Sequence, residues 1–274
     1  MNNEPVNNEP MNNEPMEPSA EIAKGGLFYT VSRGPADNPT LILVHGAGGN
    51  RLHWPAELRR LPGATVYTLD LPGHGRSGGR GCDTIGDYAE TVVEFLDTLE
   101  IEQPIIVGHS MGSAIALTLA LDFAGPSTSS GQARVAGLVL VGTGARLRVA
   151  PAILEGIHSD FKGSVGLITR FAWSPETPPA LIELGRRALL ETGPDVLFGD
   201  LAACDRFDVM ERLEEIETPT LVIAGTADRL TPVKYARFLA ERVPNAQLAL
   251  VEGAGHMVML ERPAETAKAV REFL

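Results

Sequence analysis

Six short apolar runs limit what this chain can fold into more than any other feature. They are "LILVHG" (41–46), "TVYTLD" (65–70), "IIVGHS" (105–110), "GLVLVG" (137–142), "TLVIAG" (220–225) and "QLALVEG" (247–253). Each is rich in Val, Ile and Leu on both alternate faces, the pattern of a parallel strand covered by helices on both sides. "LFYTVS" (27–32) reads as an earlier, antiparallel strand. Helical patterns fill the intervals, near 84–100, 111–123, 233–243 and 264–274, and Thr84 and Asp87 are spaced as a capping box at the first of these. Strands alternating with helices across short loops predict an α/β protein with a doubly wound, mostly parallel sheet.

Two stretches break that rhythm. "AGPSTSSGQARV" (124–135) is rich in Gly, Ser and Pro and reads as an exposed loop. Residues 145–215 hold helical patterns, five prolines and several aromatics, but no strand pattern. That is too long for a plain connection. A helical lid over the carboxyl ends of the strands, where ligands bind in open α/β sheets, fits it.

Composition excludes some functions. The 274 residues carry a net charge of −12, which repels phosphate backbones and anionic lipid, so neither nucleic acid nor a membrane surface is an expected partner. The opening "MNNEPVNNEPMNNEPMEP" repeats Asn-Asn-Glu-Pro and has almost nothing to bury, so residues 1–19 read as a disordered tail. With only Cys82 and Cys204, no disulfide framework is expected, and no clustered His/Cys set offers a metal site. The N-terminus lacks a basic start and an apolar core of the kind a signal peptide needs, so a cytoplasmic protein is the expectation.

The chemistry starts at Gly108-His109-Ser110-Met111-Gly112. A G-x-S-x-G run between a strand and a helix places serine in a sharp turn, and glycines on either side let strand and helix backbones approach. Ser110 is the candidate nucleophile, at a helix N-terminus that favours developing negative charge. His109, its neighbour, projects in another direction and is poorly placed both to take the Ser110 proton and to be oriented by a third group. It is expected to pack against the sheet top.

The base must then come from elsewhere. His256, in "EGAGHMVMLERP", follows the last strand across a Gly-Ala-Gly loop and is the best candidate. His45 and His74 sit in glycine-rich loops, while His53 and His158 have no motif around them. Asp228, in "IAGTADRLTP", lies just past a strand and is the candidate acid, although it could equally serve as a turn residue before Thr231-Pro232. Asp205 and Asp208 rank second, being on the lid side and not directly after a strand. The order Ser110…Asp228…His256 is one in which such triads occur. An oxyanion hole would take the backbone N–H of Met111 and, from the loop His45–Gly49, that of Ala47, with Gly48 next.

With "LVHGAGG", "DLPGHGRS", "VGHSMGS", "TLVIAGTADRLTP" and "GAGHMVMLERP" in this order, the chain from about residue 20 to 274 resembles the α/β-hydrolase fold superfamily, and within it the carboxylesterase-like and C–C-bond-hydrolase-like members. The resemblance implies an eight-stranded-type sheet, a core of residues 20–144 and 216–274, and a lid of 145–215. Haloalkane- and epoxide-hydrolysing relatives use aspartate where Ser110 stands. Aminopeptidase relatives usually have tryptophan where Met111 stands. The expected activity is a serine hydrolase acting on short to medium acyl esters through an acyl-enzyme, as a monomer or homodimer, with no cofactor and no metal. The same triad would serve a C–C bond hydrolase, a lactonase or a perhydrolase side reaction. From another class, a non-catalytic binding module could keep the fold.

Overall fold

A computed structural model describes residues 19–23, 25–123 and 134–274. Of the expected tail only Ser19 is described, and it begins a strand. Of the Gly/Ser-rich loop only its last two residues, 134 and 135, are described.

Eight strands form one sheet: β1 (Ser19–Ile22), β2 (Phe28–Ser32), β3 (Thr40–Val44), β4 (Thr65–Leu69), β5 (Ile105–His109), β6 (Gly137–Val141), β7 (Thr220–Gly225) and β8 (Ala246–Val251). Their spatial order is β1-β2-β4-β3-β5-β6-β7-β8. The β1–β2 and β2–β4 pairs are antiparallel, and every later pair is parallel. The seven strands read from the sequence are all present, with ends shifted by one or two residues. The eighth, β1, is a four-residue, largely exposed edge strand. Its "SAEI" alternates polar and apolar residues over only four positions, with Ala20 and Ile22 both exposed, too short a signal to be recognised.

The central strands are buried on both faces. Every residue of β5, β6 and β7 is buried, as two covering helix layers require. Along the chain the helices are α1 (Ala56–Arg59), α2 (Ile85–Thr98), α3 (Met111–Asp122), α4 (Pro151–Ser159), α5 (Phe161–Ala172), α6 (Pro179–Thr192), α7 (Pro194–Arg206), α8 (Val233–Arg242), α9 (Val258–Glu261) and α10 (Pro263–Phe273). One apolar layer joins α2, α3 and α8 to the sheet, and the other joins α1 and α10 to it. α3 is buried from Met111 to Ala120 without a polar face, so it is enclosed all round by sheet and helices. α2 instead starts at an exposed capping box, in which the Thr84 hydroxyl accepts from the Asp87 N–H and the Asp87 carboxylate accepts from the Thr84 N–H.

Helices α4 to α7 all fall between β6 and β7. Proline opens α4, α6 and α7 at the first helical position, where its missing N–H costs nothing. α4 packs on α5 and on α7, and a small apolar cluster of Ile153, Ile157, Val165 and Leu197 lies among them. No helix of the described residues is long and apolar enough to cross a membrane.

Candidate active site

β5 ends at His109 and α3 begins at Met111, so Ser110 makes the turn alone. Its backbone sits at φ 52°, ψ −113°, a conformation that L residues rarely adopt and that stores on the order of 1–3 kcal/mol. Close approach enforces the flanking glycines. A Cβ on Gly108 would strike the Gly112 carbonyl, and one on Gly112 would strike the Val44 carbonyl on β3. The turn is also pinned to β6. The Ser110 N–H donates to the Val141 carbonyl at 2.8 Å, and the Ser113 hydroxyl donates to Gly108 O at 2.7 Å while accepting the Val141 N–H at 3.1 Å. Met111 is the first residue of α3, where backbone N–H groups have no partner inside the helix.

His256 follows β8 through the Gly253–Gly255 loop and is buried, with its N–H donating to Ala172 O at 2.9 Å. Its Nδ1 lies 2.9 Å from Asp228 Oδ2 and 3.1 Å from Thr231 Oγ1. A carboxylate only accepts, so Nδ1 bears the proton of that bond. Asp228 is both a turn residue and the histidine's partner. Its Oδ1 accepts the Leu230 and Thr231 N–H groups at 2.8 Å each, and its Oδ2 accepts the Thr231 hydroxyl at 2.7 Å. Burial alone would raise the Asp228 carboxyl, but the His256 charge and hydrogen bond, with those from Thr231, outweigh it and hold the pKa below the ordinary value. Sequence reasoning missed Thr231, whose only signal was its place in a presumed helix start. Asp205 and Asp208 are spent elsewhere: Asp205 accepts the Val149 N–H at 3.0 Å, and Asp208 pairs with Arg146 at 3.7 Å.

Four further histidines, His45, His53, His74 and His109, are buried, and His109 lines the same cavity as Ser110. His109 is buried with Nε2 3.0 Å from the His256 carbonyl oxygen. Burial and the neighbouring His256 push its pKa well down, so it is neutral. His45 Nε2 accepts the Leu71 N–H at 3.0 Å, which leaves the proton on Nδ1 to donate to Gly46 O at 2.9 Å. His74 lies on Asp200 of α7, Nε2 to Oδ2 2.8 Å. His53, which had no motif, proves to line the same cavity as Ser110; burial brings its pKa down to about 4.

That cavity holds about 90 Å³. Ser110 and His256 line it together with Gly46 and Ala47 from the loop after β3, Trp173 and Met257, and Leu189 and Leu197 from α6 and α7. Of the aromatics in the 145–215 stretch, Trp173 reaches the cavity. Phe161 and Phe198 join the small cluster between α4, α5 and α7, and Phe171 lies under the Arg229 guanidinium at 5.3 Å. Ala47 sits at the cavity in a tight turn closed by the Gly49 N–H on Gly46 O at 3.0 Å. Among the described residues no group of three or more His, Cys, Asp or Glu side chains is arranged to hold a metal.

Comparison with known proteins gives the family. The model of the Alpha/beta hydrolase family matches residues 41–269. A Caulobacter protein named carbamate hydrolase RutD is 31% identical over 264 residues, which span 91% of this chain and 96% of the relative. A protein of the same name from Pseudomonas syringae is 30% identical over 257 residues, covering 87% of this chain and 95% of its own. The solved structure of a thermophilic esterase superposes with a TM-score of 0.80 at 35% identity, covering 94% of this chain and 97% of that one.

Proposed function

We propose that this chain, which belongs to the alpha/beta hydrolase family, is a serine hydrolase that cleaves carboxylic esters of short acyl chain. The observation that carries the reading is the Asp228–His256 pair at 2.9 Å, opening on the cavity that Ser110 also lines. Ser110 Oγ attacks the acyl carbonyl while His256 Nε2 takes its proton. Asp228 keeps the proton on Nδ1 and stabilises the imidazolium that forms. The N–H groups of Met111 and Ala47 receive the oxyanion. His256 then protonates the leaving alcohol, and water, activated by the same nitrogen, releases the acid. Every proton in this sequence passes through His256, so it needs no cofactor.

A cavity of about 90 Å³ walled by Trp173, Leu189, Leu197 and Met257 suits a small apolar acyl group. The 35% identical esterase structure supports an ester as substrate. Replacing Ser110 by Ala tests the reading: turnover of p-nitrophenyl acetate and labelling by a fluorophosphonate should both vanish. Retained turnover in that variant removes Ser110 from the mechanism.

The relatives named carbamate hydrolase favour a second substrate class. A carbamate carbonyl passes through the same tetrahedral adduct, with an amino group in place of the acyl chain, and a small cavity accepts it equally. Ammonia release from a carbamate, compared with acid release from a matched acetate ester, separates the two. A carbamate kcat/KM above the ester value would make carbamate the substrate class.

A further inference from the structure

We propose that Asp200, on the inserted helix α7, is a positioning residue that fixes the oxyanion loop, so that the hole is complete only while α6 and α7 are seated. This deepens the hydrolase reading and rests on it.

Gly48 follows the proposed oxyanion donor Ala47, and the inserted helices hold it from every side. Its N–H donates to Asp200 Oδ2 at 2.8 Å across 152 positions of sequence. Its carbonyl accepts the hydroxyl of Thr192, the last residue of α6, at 2.8 Å. Its backbone is left-handed, at φ +63°, and a Cβ there would come within 2.7 Å of Leu189 Cδ2 and 2.8 Å of Leu197 Cδ1. The peptide joining Ala47 to Gly48 is therefore held by α7 and the next one, joining Gly48 to Gly49, by α6, while the peptide that carries the Ala47 N–H is held on its other side through Gly46 O, which accepts from the Gly49 N–H.

The carboxylate is itself held rigidly. Asp200 is fully buried, and besides Gly48 its Oδ2 meets His74 Nε2 at 2.8 Å, while Oδ1 accepts the Tyr88 hydroxyl at 2.5 Å. His74 comes from the loop after β4 and Tyr88 from α2, so the carboxylate is anchored to the core sheet and helix layer before it meets Gly48. A buried carboxylate costs desolvation that an apolar packing residue would avoid. Helix-to-core adhesion alone gives no reason to put one here. Orienting a backbone N–H does, because a loop displacement of an ångström is enough to lose oxyanion contacts.

The test uses the full chain, p-nitrophenyl acetate as substrate, and a short alkyl trifluoromethyl ketone. The ketone adds Ser110 and places a true oxyanion in the hole, so its affinity reads the hole directly. In folded Asp200→Ala, kcat should fall about 10- to 100-fold with KM held within about threefold, and ketone affinity should fall by the same factor as kcat/KM. Asp200→Asn should recover most of both losses, because an amide oxygen at the Oδ2 place still accepts the Gly48 N–H. Unchanged kcat/KM and ketone affinity in Asp200→Ala, or a loss confined to KM, overturns the proposal. If Asp200→Ala does not fold, Thr192→Val decides. It deletes the bond to the Gly48 carbonyl together with an in-helix bond to Ala188 O at 3.2 Å, and it should lower kcat and ketone affinity together by severalfold, whereas no change overturns the proposal. Ser110→Ala separates this failure from the wider one: an inactive Ser110→Ala beside a fully active Asp200→Ala removes only the role of Asp200.

Discussion

The imidazole of His109 supports the backbone of His256: its Nε2–H donates to the His256 carbonyl oxygen at 3.0 Å, and the two rings stand 4.9 Å apart. The histidine beside the proposed nucleophile thus touches the loop that carries the proposed base, and its neutral form suits that contact. Substituting each separates their roles. His256→Gln should lower kcat/KM for p-nitrophenyl acetate by about 10³-fold or more, whereas His109→Gln, which can still donate, should lose at most about 10-fold. Equal losses would assign His109 a part in the chemistry.

Asp228 orients His256 through one oxygen and closes its own turn through the other. Asp228→Asn keeps the shape but offers an N–H or a neutral oxygen to Nδ1, which disturbs the tautomer; kcat should fall about 10³- to 10⁴-fold. Thr231→Val removes one hydrogen bond to the same oxygen and should cost about tenfold. Steady-state kinetics with a short ester gives both numbers, and an Asp228→Asn enzyme within tenfold of wild type would move the acid elsewhere.

The glycines around Ser110 are steric requirements. Gly112→Ala drives a methyl group into the Val44 carbonyl and should lower stability by at least about 2 kcal/mol in urea unfolding, with activity lost alongside. Gly78→Ala, at a glycine with open space around its Cβ direction, is the control and should be nearly neutral.

These cases show why parts of the site were legible and others were not. Ser110, Asp228 and His256 follow strand ends and carry local signatures: glycines on both sides, a turn before Thr-Pro, and a Gly-Ala-Gly approach. The strands announced themselves because burial on both faces leaves an unbroken apolar run. β1 was invisible, since four largely exposed residues are too few for their alternation to stand out. Asp200 was invisible for another reason. It lies in "LFGDLAACDR", a sequence fit for any helix, and its partners Gly48, His74 and Tyr88 are 112 to 152 positions away. A side chain whose meaning lies in tertiary contacts alone leaves no periodic or spacing signal.

His74 and Asp200 give a pH dependence of stability. Burial alone would depress the His74 imidazolium, but the hydrogen bond and charge of Asp200, aided by the Pro72 carbonyl and Asp70, hold its pKa above 6.5. His45 and Tyr88 are the other titratable rings facing it, at 4.9 and 6.4 Å. A raised histidine pKa contributes stability in full below the unfolded value and loses it as pH rises through the folded one. The stability gap between wild type and His74→Gln should therefore be largest near about pH 6 and shrink toward about pH 9 in urea titrations. A gap that widens over that range would contradict an ion pair.

Trp173 forms part of the cavity wall. It is buried, and its ring abuts Gly185 on α6, where a Cβ would lie 2.5 Å from Trp173 Cζ2. Trp173→Leu should enlarge the acyl space and shift the optimum on a p-nitrophenyl ester panel from acetate toward butyrate or hexanoate, with kcat/KM for the longer ester rising about tenfold, as one or two buried methylenes allow. An unchanged chain-length profile would place the acyl group elsewhere.

The order of the sheet also bears on how the molecule becomes active. Ser110 follows β5, Asp228 follows β7 and His256 follows β8, so the proposed triad spans four adjacent strands joined by long-range parallel pairings. Such pairings form slowly, because distant segments must meet before any contact rewards them. A folding intermediate holding β3 to β6 would already present the Ser110 turn, yet it would lack both acid and base. Ester turnover during refolding should accordingly lag behind the recovery of helix and sheet, making it a clock for the docking of the last two strands.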